Sequence, residues 1–138
     1  MPIRLDSQRL AARLDAIPGE VVAQLRPALV KSAEEVADRM RALVPVDEGD
    51  LKASITVTGP GETTPAYAEG GGKRTAHANQ ALVTAGAPKV RHGHFLEFGT
   101  VKLAPRPFMR PAWRLAKLRV ERRIARAIGA AIKRAAGG

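Results

Sequence analysis

Apolar residues recur at two different periods along this chain, and the change of period divides it. Val22, Leu25, Leu29, Ala33, Val36, Met40 and Leu43 follow steps of three and four. That spacing lays side chains along one face of an α-helix and predicts one over residues 20–43. Pro27 falls inside the run. It either kinks the helix or marks its true start, because it lacks a backbone N–H and its ring crowds the preceding turn. Glu34, Glu35 and Asp38 are set among Lys31, Arg39 and Arg41, which reads as a solvated, charge-balanced face. Leu5, Leu10 and Leu14 stand near helical spacing over residues 4–16, an N-terminal helix that Pro18-Gly19 ends. The longest periodic run comes last. From Pro111, a residue suited to a first helical turn, Trp113, Ala116, Val120, Ile124, Ala127, Ile128, Ala131 and Ile132 form a single apolar stripe. Arg114, Lys117, Arg119, Arg122, Arg123, Arg126, Lys133 and Arg134 fall on the other side.

Between these helical runs the period drops to two. Ser54-Ile55-Thr56-Val57-Thr58 alternates and is β-branched, so it predicts a strand. Ala81-Leu82-Val83-Thr84-Ala85 predicts a second, and Lys89-Val90 could extend the sheet after Pro88. Residues 59–79 separate them with two prolines and five glycines, including Gly70-Gly71-Gly72. This segment predicts a flexible loop or a long hairpin arm. Val44-Pro45-Val46-Asp47-Glu48-Gly49-Asp50 closes the second helix in a turn, with Asp47 able to cap a short helical turn carrying Leu51. The expected architecture is α+β, as a single domain over residues 1–138. N-terminal helices and a long C-terminal helix would pack on a small antiparallel sheet.

Composition adds a constraint on the core. Phe, Trp and Tyr make up only 4% of the chain, so Leu, Val, Ile and Ala must fill the interior. There is no cysteine, hence no disulfide framework and no thiolate metal site. No apolar run reaches the roughly 20 residues of a membrane span, and the first residues lack the apolar core of a signal peptide. A soluble protein made in the cytoplasm, with no membrane partner, is expected.

Charge changes the picture more. The net charge is +10, and residues 89–138 carry all of the excess. They hold 13 Lys and Arg against Glu97 and Glu121, whereas residues 1–88 hold 10 against 11 acids. The basic third calls for a polyanion or an acidic protein; a merely solvated basic face is the plainer alternative. The candidate contacts are Arg114, Lys117, Arg119, Arg122, Arg123 and Arg126.

Signals for catalysis are weak. Gly70-Gly71-Gly72-Lys73-Arg74-Thr75 suggests a phosphate loop, but Tyr67 stands where the first glycine of that motif is required, and no strand precedes it. His92, His94 and Glu97 could ligate zinc, yet their spacing is not that of a catalytic zinc site. No nucleophile elbow is present. Asp47, Glu48 and Asp50 read as turn and cap residues rather than a paired acid and base. No enzyme, cofactor or metal is expected. Zinc-finger, homeodomain and RNA-motif signatures are also missing. What remains for nucleic acid is a sequence-nonspecific contact through the basic helix.

The most concentrated signal is an elbow just before that helix. All three phenylalanines of the chain, Phe95, Phe98 and Phe108, lie within it, and Pro105, Pro107 and Pro111 stiffen it. A stiff apolar segment is either a docking edge or the closure of the subunit's own core. The candidate interface comprises Phe95, Leu96, Glu97, Phe98, Gly99, Thr100, Arg106, Pro107, Phe108 and Arg110. Glu97 could pair with Arg106 or Arg110, and Gly99 could take a positive φ.

Two ordered motifs give these features a context. Val44-Pro45-Val46-Asp47-Glu48-Gly49-Asp50-Leu51-Lys52-Ala53-Ser54-Ile55 resembles P-x-D-T-G-x-L-x-x-S-I. Phe95-Leu96-Glu97-Phe98-Gly99-Thr100, followed by Pro107-Phe108-Met109-Arg110-Pro111-Ala112, resembles E-F-G-T … R-P-F-[LM]-R-P-A. Together, and in this order, they resemble the small tail-component family of tailed bacteriophages. These are tail-completion or head–tail joining proteins of long-tailed phages and prophage-derived particles. The resemblance implies an α+β virion protein without catalysis, working as a homo-oligomeric ring of six copies at the neck. Its implied partners are the head connector or stopper, the tail tube, and DNA passing through the channel without sequence readout.

Overall fold

In the computed structural model, residues 18–45, 48–65, 73–86 and 107–137 are described. Their order is α1 (Gly19–Gln24), α2 (Arg26–Leu43), α3 (Gly49–Ala53), β1 (Thr56–Thr58), β2 (Leu82–Thr84) and α4 (Met109–Gly137). The architecture is α+β: helices, one two-stranded antiparallel sheet and a long C-terminal helix. The expected helix over 4–16 and the strand extension at Lys89-Val90 lie outside the described residues.

Pro27 marks a start rather than a kink. It sits in the first turn of α2, where its missing N–H is one the helix would leave unpaired anyway. The cost falls on the preceding turn, so α1 ends and Leu25 forms the joint, its own N–H bonding to Val22 O and its carbonyl accepting from Leu29 N, both at 3.0 Å. Pro18 caps α1 by accepting from Val21 and Val22 N. The short helix α3 carries Leu51 as expected and buries it completely. Its N-cap is Glu48, with no side-chain cap bond; Asp47, expected there, lies outside the described residues.

β1 and β2 pair with Thr56 opposite Thr84, Val57 opposite Val83 and Thr58 opposite Leu82. Side chains alternate across a strand, so Val57 and Val83 share one face, which packs on the core. Thr58, Leu82 and Thr84 share the other and are also buried. The sheet rests on α2. Beyond it the chain continues as the base of a hairpin rather than a slack loop. Gly59-Pro60-Gly61-Glu62 makes a turn closed by Glu62 N to Gly59 O at 3.0 Å, with Gly61 at φ 79°, a conformation that favours glycine. Thr63 bridges Thr75, and Thr64 and Ala76 N donate to Arg74 O and Glu62 O at 2.8 Å. Arg26, at the start of α2, pins this base through Glu62 Oε1 and Pro60 O, both at 2.7 Å.

The core lies between α2 and α4, the largest contact in the molecule. Leu25, Leu29, Val36, Ala37 and Met40 meet Phe108, Met109, Ala112, Ala116, Val120 and Ile124. Alanines on α4 let the two helices approach closely while the larger side chains fill the sides. Two members of the expected stripes, Leu43 and Ile132, are exposed rather than buried. Each stands next to a buried neighbour, Val44 and Ala131, so it lies at the lateral edge of its stripe rather than beyond the covered length.

Candidate functional site

α4 begins at Met109, two residues before the expected Pro111, because the Phe108 carbonyl already accepts the Ala112 N–H at 3.4 Å. Its 29 residues run about 43 Å at the helical rise. One side is bound into the subunit. Phe108, expected as an anchor for a neighbouring copy, is fully buried in the subunit's own core, with Met109 beside it. The ring therefore closes the core under α4. Pro107 and Arg110 are exposed at the same end. Phe95, Leu96, Glu97, Phe98, Gly99, Thr100 and Arg106 lie outside the described residues, as do His92 and His94.

The six basic candidates divide by their position around α4. Arg123 turns inward: its side chain is 17% exposed, with Nη1 donating to Ser32 Oγ at 3.1 Å and Nη2 to Glu35 Oε2 at 3.3 Å. Arg119 Nη2 reaches the same Glu35 oxygen at 3.3 Å, but the side chain is 65% exposed. Glu35 thus serves as the counter-charge of two guanidiniums from α4, and is not part of the solvated face the sequence suggested. Its other oxygen, Oε1, is buried without a partner, as are Arg39 Nε and Trp113 Nε1. Lys117 is half-buried. Arg114, Arg122 and Arg126 are exposed, and no carboxylate among the described residues pairs with them. Arg126 Nε instead reaches back to the Arg122 carbonyl at 3.4 Å. Arg119, Arg122, Arg123, Ala125 and Arg126 line an open depression of about 500 Å³.

Two further residues belong to this outer surface. Leu115 is 59% exposed and Leu118 57%. At 100° per residue they fall beside Arg122 and Arg126, opposite the buried stripe. The spacing that defines the inner stripe already excluded them from it, and their omission from both faces was the signal to follow. On α2 the charges are mostly paired within the chain. Arg41 Nη1 bonds Asp38 Oδ1 at 2.8 Å and its Nη2 donates to Ile55 O at 3.1 Å, tying the end of α2 to the approach to β1.

α4 thus has one face in the core and an outer face that is basic and in part apolar. Residues 8–99 match the family described as "Bacteriophage HK97-gp10, putative tail-component". The match covers two-thirds of the chain, and the chain belongs to this family of phage structural proteins. It takes in the turn through Leu51 and the Phe95–Gly99 segment, and ends ahead of α4. Comparison with curated proteins and with solved structures gives no match. Among the described residues, no helix is long and apolar enough to cross a membrane.

Proposed function

We propose that this chain is a virion protein of the head–tail junction in a tailed phage or phage-like particle. Copies form a ring, of six subunits, that completes or terminates the tail and joins it to the head connector around the DNA channel. It acts by holding neighbours together and has no catalytic step. The observation that carries this reading is membership of the tail-component family, joined by the ordered pair of motifs on either side of the sheet. The basic surplus of the last third supports it, since a junction must meet other surfaces and enclose DNA. Residues 95–100 with Arg106, Pro107 and Arg110 form the proposed contact between copies. Phe108, named with them in the sequence, is buried in the subunit's own core and on this reading supports the contact from beneath. Electron cryo-microscopy of intact particles tests the reading. Density for this chain as a closed ring at the neck supports it, and its absence from neck and tail refutes it.

A second reading, a free sequence-nonspecific DNA binder, draws on the unpaired Arg114, Arg122 and Arg126. Such a protein should lose duplex affinity steeply between about 50 and 200 mM salt. The absence of duplex binding at low salt eliminates it.

A further inference from the structure

The outer side of α4 repeats every three to four residues, as its inner side does. Leu115, Leu118, Arg122, Ala125 and Gly129 follow one another along it, with Arg114 and Arg126 on the flanks. A Cβ built at Gly129 would meet nothing within 4 Å, so this end of the stripe is open. From this we infer that the outer face of α4 docks an acidic, amphipathic helix of a different polypeptide. The leucines of the face meet the partner's apolar stripe, and Arg114, Arg122 and Arg126 meet carboxylates on either side of it. The inference deepens the junction role by naming one partner's chemistry, and rests on that role only for where the partner is found.

Three observations select this occupant. Isolated exposed leucines are ordinary on a soluble protein. Here, though, three of the four large exposed hydrophobics among the described residues, Leu115, Leu118 and Ile132, lie on one helix. Two of them sit one turn apart beside arginines that no carboxylate among the described residues pairs with. Duplex DNA would use the arginines but leave the leucines in water, since phosphate contacts are polar and sequence-blind. A second copy is disfavoured by charge. A two-fold pairing through this face would set Arg122 and Arg126 against their own equivalents. A head-to-tail pairing would need a matching acidic patch; of the exposed acids among the described residues, Asp38 and Glu62 are held by Arg41 and Arg26, and Glu20, Glu34 and Asp50 stand one each on α1, α2 and α3. Each copy carries a net charge of +10, so a contact between copies through this basic face would add to the repulsion, and the counter-charge for this face comes from another molecule. Exposed leucines flanked by arginines along one helix face suit contact with an amphipathic helix.

The test uses the full chain and fluorescence anisotropy with three defined probes at about 50 and 200 mM salt. The first is a set of labelled helical peptides with leucines at i, i+3 and i+7 flanked by glutamates. The second is the same set with the leucines replaced by serine at equal charge. The third is a duplex DNA. The leucine peptides should bind, with the serine peptides and the duplex roughly tenfold weaker or worse. Leu115→Ser with Leu118→Ser, and separately Arg122→Glu with Arg126→Glu, should each reduce peptide binding at least roughly tenfold while leaving thermal unfolding unchanged. Duplex binding that is tighter than peptide binding and indifferent to the leucines would overturn the inference in favour of nucleic acid. Self-association abolished by the leucine pair would overturn it in favour of a second copy. Failure of every peptide to bind would also overturn it. These outcomes are independent of where the chain sits in a particle, so failure here and failure of the junction reading are separately visible.

Discussion

The two long helices carry their charges differently. α2 has four basic and three acidic residues, and α4 has nine basic and one acidic. On α2, Arg26 and Arg41 bond back to the hairpin base and to Asp38, while Glu35 accepts guanidiniums from α4. Its polar residues help to assemble the subunit. On α4, Arg119 and Arg123 bond Glu35 of their own chain, and no carboxylate among the described residues pairs with Arg114, Arg122 or Arg126. Folding does not require those charges or the leucines beside them. On the proposed reading, these residues are displayed in register along the helix for a partner.

Four substitutions sharpen or break this contrast. Phe108→Ala empties the largest fully buried side chain and should cost about 3–5 kcal/mol of folding stability, read by chemical denaturation. A loss only of assembly, with folding intact, would return the ring to the docking edge. Glu35→Ala removes the counter-charge of the mostly buried Arg123 and should cost about 1–3 kcal/mol. A double-mutant cycle with Arg123→Met should show coupling, because the double variant leaves no buried unpaired charge. Arg26→Ala opens a pair whose side chains are about half exposed, so the loss should stay below about 1 kcal/mol and shrink in salt. Leu115→Ser and Leu118→Ser should move stability by less than about 0.5 kcal/mol, since both side chains already stand in water. A marked drop in melting temperature would mean that the outer face is structural after all, and the distinction between the two helices would collapse.

The helices were legible because their evidence is local. Steps of three and four named Leu25, Leu29, Val36, Met40, Ala116, Val120 and Ile124, and all are buried. Alternation and β-branching located both strands to within two residues. Proline named the joint at Leu25 as one of two options, and the missing N–H decided it. Charge on the outer helix face was legible as well, but not how it is divided. Arg119 and Arg122 look alike in sequence, as do Glu34 and Glu35. One of each pair turns toward the facing helix, and that choice depends on how two helices rotate about their own axes when they pack. Phe108 posed the same problem, since an apolar residue after a proline suits a core and an interface equally.

What the sequence determined alone is therefore the periodicity, the breaks and the charge asymmetry. Each is written in neighbours within a turn or a pleat of one another. What only the tertiary structure decided is which face meets which. Ser32 and Glu35 find Arg123 across 91 and 88 residues of chain, and Leu115 and Leu118 are left over once Phe108 and the alanines have filled the space against α2. Burial is a property of the packed pair. No stretch of either helix read by itself contains it.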